Sequence, residues 1–138
     1  MPALVRCLRD EDAKTRANAA GALGNLARNG PQLCDALLQH EAAPGLLALA
    51  RGALEARAGG AADVAQAEAA YLAPARIALF SLGNLAAHPR CGDALHALGL
   101  PTQLAELQPI DSTLLKYANR VAQKLDDARA TETSAVGP

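Results

Sequence analysis

One short pattern occurs twice in this chain and restricts its fold more than any other feature. The sequence ALGNLA at residues 22–27 returns as SLGNLA at residues 81–86, an offset of 59 residues. A break containing proline follows each copy, then a related stretch, CDAL or CGDAL, and then a helix led by proline. Because the order of segments repeats too, the pattern indicates one supersecondary unit that buries its apolar face by stacking on its neighbours.

A third, weaker copy lies at residues 117–125 (YANRVAQKL), aligned so that Leu125 takes the place of Leu26. An armadillo-type unit has about 40–47 residues, so a spacing of 59 requires an insertion. The stretch at about residues 57–72 is rich in Gly and Ala and has few large side chains to bury. We therefore expect an insertion there.

The composition favours helices throughout. Hydrophobic residues make up 51% of the chain and aromatic residues 2%, and Ala and Leu, which are strong helix formers, dominate. Asp10 or Asp12 is predicted to cap a helix, and Gly30 to end it in a left-handed conformation. The predicted helices cover residues 2–9, 13–28, 31–39, 44–57, 75–87, 90–98, 102–107 and 113–128. The sequence thus predicts a soluble all-α domain at residues 1–128 and a disordered tail at residues 129–138.

With these features the chain resembles armadillo-repeat proteins, whose pattern A-A-x-A-L-x-N-L-A stands here at residues 19–27. Residues 14–26 and 77–85, together with HPRC at 88–91 and KYA at 116–118, resemble more specifically the C-terminal armadillo-like region of Fused-type serine/threonine kinases. The resemblance covers roughly residues 3–126. It implies an armadillo/HEAT-like right-handed α-solenoid of about two to three partial repeats.

The resemblance also implies a function. The parent would be an ATP-dependent serine/threonine kinase acting in cilium or microtubule organisation or in Hedgehog-type signalling, and this chain its C-terminal fragment. No glycine-rich phosphate loop, H-R-D or D-F-G motif occurs here, so the chain itself is expected to be non-catalytic. The expected location is the cytoplasm, with association with the cytoskeleton or cilium implied by the resemblance.

Several kinds of site are excluded by charge and spacing. The net charge of −1 argues against nucleic-acid binding, which needs an excess of basic residues. The three cysteines form no CxxC pair, and the three histidines have no metal-ligand spacing, so no cofactor or metal is expected. The cysteines are interpreted as small buried hydrophobes. No apolar window of about 18 residues is present, so no membrane partner is expected.

The surface lined by the third helix of each unit is the candidate partner-binding groove. Residues at helical spacing on this face are Lys14, Asn18, Asn25, Phe80, Asn84, His88, Tyr117, Arg120 and Lys124. A carboxamide both donates and accepts, so it can hold an extended peptide backbone. Asn84 with an aromatic residue four positions earlier resembles the pairing in peptide-binding armadillo proteins, whereas Gly21 departs from it. Alternatively, the asparagines hydrogen-bond backbone within the fold, and Phe80 is partly core.

Two functions remain open at this point. The first is a non-catalytic module that binds a protein or extended peptide, with the cationic stripe of Lys116, Arg120 and Lys124 favouring an acidic partner or forming a solvated helix face. The second is a structural C-terminal cap of a longer solenoid with no groove of its own. The groove predicts that Asn84 is exposed, and the cap predicts that it is buried with backbone partners. Because residues 2–9 resemble a second helix without its first, self-association through an open N-terminal edge is also expected.

Overall fold

The computed structural model describes residues 1–58, 64–107, 110 and 112–136, and this part of the chain is helical without a strand. The predicted all-α solenoid is therefore confirmed. Short 3₁₀ turns lie at Cys7–Arg9 and Pro31–Leu33, and a π-helical turn lies at Glu68–Leu72. The α-helices in order are α1 (Pro2–Arg6), α2 (Ala13–Asn29), α3 (Cys34–Gln39), α4 (Ala42–Ala58), α5 (Val64–Ala67), α6 (Ala73–Ala86), α7 (Pro89–Ala97), α8 (Leu100–Leu107) and α9 (Ser112–Val136).

Asp12 caps the start of α2, as one of the two predicted alternatives. Its carboxylate accepts hydrogen bonds from the Thr15 amide at 3.0 Å and the Thr15 hydroxyl at 2.7 Å. Both hydrogen bonds lower the pKa of the Asp12 carboxyl, and the bond from the Thr15 hydroxyl has the larger effect. The cap therefore holds above the ordinary pKa of aspartate and weakens as the pH falls through the lowered value.

The end of α2 differs from the prediction of a left-handed stop. Gly30 has φ −140°, which is not left-handed. A Cβ at this position would lie 2.8 Å from Cδ1 of Leu33. In the described residues, the left-handed positions are Glu41, with φ 62°, and Gly99, with φ 75°. Gly99 lies at a predicted break between two helices.

Three helices stack side by side, with α6 between α2 and α9. They are the third helices of successive units, and α4 packs behind α6. The core consists of leucines from these three helices and from the helices packed against them, together with smaller side chains. Leu23, Leu82 and Leu114 are among its most completely buried members. The repeated apolar face is thus buried by neighbouring copies, as the self-similarity predicts.

The second half of the predicted insertion is helical and continues into the central helix. Residues 59–63 of the insertion lie outside the described residues, and α5 and the π-helical turn run directly into α6. Arg16 joins this segment to α2, because its Nη2 donates to the carbonyl of Ala70 at 2.7 Å. Its Nη1 donates to the carbonyls of Asp10 and Glu11, which fixes the loop before α2.

The last helix extends beyond the predicted boundary. The structure continues α9 through residues 129–136, where the sequence predicts a disordered tail. Alanine and glutamate in this stretch favour a helix, and neither glycine nor proline interrupts it before Gly137. Residues 137–138 of the predicted tail lie outside the described residues. Among the helices that are described, none combines the length and apolar character that a membrane span requires.

Candidate functional site

The predicted groove residues lie on the adjacent helices α2, α6 and α9, except His88, which lies in the turn between α6 and α7. Their exposure differs. Lys14, Asn18 and Asn25 on α2 are exposed. Phe80 is 38% exposed and Asn84 only 7%. His88, Tyr117, Arg120 and Lys124 are half-buried. The side chains therefore do not form a uniform row of exposed peptide-binding groups.

Both ends of the Asn84 carboxamide are engaged within the chain. Its Nδ2 donates to the carbonyl of Gly24 on α2 at 3.2 Å, and its Oδ1 accepts from Nη2 of Arg120 on α9 at 2.9 Å. One side chain thus links all three helices of the stack. This is the arrangement that the cap alternative predicts for Asn84, and it leaves the amide unavailable to a peptide in this conformation.

Asn84 is one of three side chains, from α6 and the turn that follows it, that contact backbone carbonyls of α2. The Ser81 hydroxyl donates to the carbonyl of Ala20 at 2.6 Å, and Nε2 of His88 lies 2.8 Å from the carbonyl of Ala27. We call Ser81, Asn84 and His88 the α6 ladder, since they meet successive turns of α2. Sequence reasoning missed Ser81, although its signal was visible: it is the polar residue at the position where the first copy has Ala22.

Two glycines at equivalent positions of the repeat allow these helices to approach closely. A Cβ on Gly24 would lie 2.8 Å from Cβ and 3.1 Å from Cα of Ser81. A Cβ on Gly83 would collide with the guanidinium of Arg120. At Gly24 the helix α6 therefore comes close to the backbone of α2, whereas Gly83 leaves room for the Arg120 side chain of α9.

Arg120, Phe80 and Tyr117 form one cluster across α6 and α9. Nη1 of Arg120 donates to the carbonyl of Phe80 at 3.0 Å, and its guanidinium carbon lies 4.5 Å from the centre of the Phe80 ring. The Tyr117 ring meets Phe80 edge-on, at 6.2 Å between centres and 86° between planes. This geometry suits both the cation–π and the aromatic contact. The exposed part of Phe80 leaves an apolar surface beside a cation.

Charge is distributed unevenly over the stack. The sequence of α2 and α6 contains no Asp or Glu, and the first acidic residue of α9 is Asp126. The cations on these helices up to residue 125 are Lys14, Arg16, Arg28, Arg76, Lys116, Arg120 and Lys124. The net charge of the whole chain is nevertheless −1, so its acidic residues lie mainly on other segments.

Some of these cations are engaged within the chain. Arg16 donates to backbone carbonyls, Arg76 forms an ion pair with Glu68 in the π-helical turn, and Arg120 belongs to the cluster described above. Lys14, Arg28 and Lys116 are exposed, and Lys124 is half-buried. These four residues, here called the cationic face, keep charge that a partner can reach.

Within the described residues, no three His, Cys, Asp or Glu side chains group as metal ligands. Cys34 and Cys91 are buried, and Cys7 is half-buried. Burial raises the pKa of the Cys91 thiol to about 12, and the neighbouring Cys34 thiol adds to the rise. Cys91 is therefore protonated at neutral pH and suited to packing rather than to nucleophilic attack.

Comparison with known proteins agrees with this architecture. The armadillo/beta-catenin-like repeat family matches residues 1–28. The chain is 33% identical over 117 residues to the serine/threonine-protein kinase TIO of Arabidopsis thaliana, and the match covers 83% of the chain. The chain spans 8% of the length of that kinase. The resemblance to armadillo repeats and to Fused-type kinases is thus confirmed.

Proposed function

We propose that this armadillo-type segment is the protein-interaction part of a serine/threonine kinase and that it binds an extended protein segment rich in Asp and Glu. The observation that carries the proposal is the charge distribution. The whole chain has a net charge of −1. The stacked helices α2, α6 and α9 nevertheless carry cations and contain no acidic residue before Asp126. Complementary charge of this kind favours encounter with an acidic partner and opposes a basic one.

The cationic face and the aromatic cluster supply different parts of the binding. Each exposed ion pair contributes only about 0.2–1 kcal/mol, so the four cations give modest and salt-dependent affinity. The exposed part of Phe80, between Tyr117 and Arg120, offers an apolar contact that charge alone does not provide. The proposed partner therefore carries an apolar side chain among its acidic residues.

We expect the Lys14→Ala/Lys124→Ala double variant to bind an acidic peptide about two- to thirtyfold more weakly than the unchanged chain, since two ion pairs are lost. Fluorescence anisotropy with a labelled peptide of alternating Glu and Gly measures this, and the same peptide with Gln in place of Glu tests the role of charge. Arg6→Ala is the matched control, because Arg6 is an exposed cation on α1.

The proposal requires that the Gln peptide binds far less tightly than the Glu peptide and that Arg6→Ala leaves the affinity unchanged. Equal affinity for the two peptides would contradict it, and so would an equal loss in the Arg6 control and the double variant.

A second function is supported by a specific contact. The burial of Asn84 and its bond to the Gly24 carbonyl support the structural cap of a longer solenoid. A cap without a peptide groove can still bind an acidic segment through the cationic face, because the contacts of Asn84 leave those four cations accessible. The resemblance to Fused-type kinases supports extending the proposal to a kinase that acts in the cytoplasm, in cilium or microtubule organisation or in Hedgehog-type signalling. Imaging of the tagged full-length protein, scored for microtubule or cilium association, tests that extension.

A further inference from the structure

Two cysteines from successive repeats meet where α3 packs against α7. Cys34 and Cys91 begin the related stretches CDAL and CGDAL, so stacking of the repeats places them at neighbouring positions. Both are buried. The residues beside them are also in contact, because Nη1 of Arg90 donates to Oδ2 of Asp35 at 2.8 Å. The cysteine pair and this exposed ion pair thus join the same two helices.

The two thiols interact directly with each other. Burial raises the pKa of the Cys91 thiol to about 12, and a hydrogen bond with Cys34 adds to the rise. A hydrogen bond raises the pKa of a thiol when that thiol is the donor. Cys91 is therefore the donor of the pair, and the sulfur of Cys34 is the acceptor. Because the thiolate is the reactive form of cysteine, Cys34 is the member of the pair that reacts first with an external reagent.

A small cavity gives a reagent access to Cys34. Its volume is about 190 Å³, and it lies between the 3₁₀ turn that precedes α3 and the start of α7. Cys34 lines it together with Asp35, His88 and Arg90, whereas Cys7 does not. Hydrogen peroxide is little larger than a water molecule, whose share of liquid volume is about 30 Å³. A cavity of this size therefore admits peroxide.

We propose that Cys34 is a site of oxidation by hydrogen peroxide and that Cys91 converts the oxidised form into a disulfide between α3 and α7. In the first step the Cys34 thiolate attacks one peroxide oxygen. The S–O bond forms as the O–O bond breaks, and hydroxide leaves and takes up the proton released by Cys34. The sulfur is oxidised to a sulfenic acid, and the peroxide is reduced to water.

In the second step the sulfur of Cys91 attacks the sulfur of the sulfenic acid. The S–S bond forms as the S–O bond breaks, and the hydroxyl group leaves as water with the proton of Cys91. Two thiols and one peroxide thus give one disulfide and two molecules of water. The proposal concerns a site between α3 and α7 and does not depend on the binding of an acidic segment.

The contacts of the pair explain why Cys91 reacts second. While Cys34 is reduced, its sulfur helps to keep the proton on Cys91. Oxidation of Cys34 to the neutral sulfenic acid removes the charge that contributed to this effect, so the pKa of Cys91 falls, although burial still raises it. The fold also holds the new electrophile beside Cys91, which favours attack by proximity. Cys91 is thus protected from external reagents and directed to Cys34.

The test treats the folded full chain with hydrogen peroxide and maps its disulfides. Catalase removes the excess peroxide, free thiols are alkylated in urea, and the linked peptides are identified by mass spectrometry. We expect the Cys34–Cys91 disulfide to be the main product, with Cys7 alkylated, and dithiothreitol to restore both thiols. The same treatment in urea is expected to give pairings with Cys7 as well, because the fold no longer selects the partner.

Cys91→Ser is the variant that separates the two steps, and Cys7→Ser is its matched control. In Cys91→Ser the sulfenic acid of Cys34 is expected to persist and to be labelled by dimedone. In the unchanged chain and in Cys7→Ser this label is expected to be weak and the disulfide to form. A folded chain without the Cys34–Cys91 bond, or with pairings to Cys7 as its main products, would overturn the proposal. Equal dimedone labelling of the unchanged chain and Cys91→Ser would also overturn it. Mapping of the unchanged chain decides the question without any variant, so a failure of Cys91→Ser to fold does not obscure the result.

Discussion

Gly24→Ala is expected to lower the free energy of unfolding by about 1–3 kcal/mol, although alanine is the better helix former. The new Cβ would collide with Ser81, whose Cα and Cβ are too close and too rigid to give way. The helices α2 and α6 would have to separate, which would strain the α6 ladder. Urea denaturation followed by circular dichroism measures the change.

Gly21→Ala is the matched control, three residues earlier on the same helix. A Cβ there meets only Cγ2 of Ile77, at an ordinary 3.8 Å. This variant is expected to be as stable as the unchanged chain or more stable by up to about 1 kcal/mol. If the two alanine variants had the same stability, the close approach of α6 at Gly24 would be contradicted.

Leu82→Ala is expected to cost about 2–5 kcal/mol, because Leu82 is fully buried in the central helix and its removal leaves a cavity between neighbouring repeats. Total stability of a chain of this size is typically about 5–15 kcal/mol, so the loss is a large fraction of the whole. Thermal and urea denaturation measure it. Leu98→Ala, at a position 36% exposed, is the control and is expected to change stability by less than about 1 kcal/mol. Comparable losses in both variants would show that the assignment of helix faces is incorrect.

The helices and their stacking were predictable because local signals and the repeat agree. Proline and glycine breaks bound most helices within one or two residues, and the repeated LGNL pattern identified α2 and α6 as equivalent. The exceptions involve contacts that the sequence pattern does not show. Gly30 has no left-handed φ and lies against Leu33. A carbonyl of the π-helical turn that joins the insertion to α6 accepts a hydrogen bond from Arg16, which is distant in sequence.

The candidate site was less predictable, because the role of a polar side chain depends on which neighbour it meets. Asn25 and Asn84 are identical in sequence context, yet Asn84 is buried between helices and Asn25 is exposed. Helical spacing places both on one face but does not say whether another helix covers it. Arg120 was predicted as part of a cationic stripe, and only packing shows that it contacts Phe80 and Asn84.

The most direct test of this account measures both stability and binding in Asn84→Ala. The account assigns Asn84 to the fold and partner binding to the cationic face. It predicts a loss of about 1–3 kcal/mol in stability, because Arg120 and the Gly24 carbonyl lose a buried partner. It also predicts unchanged affinity for the Glu–Gly peptide at a temperature where the variant is folded. An unchanged unfolding midpoint together with weakened peptide binding would contradict it and would identify Asn84 as a partner-binding residue.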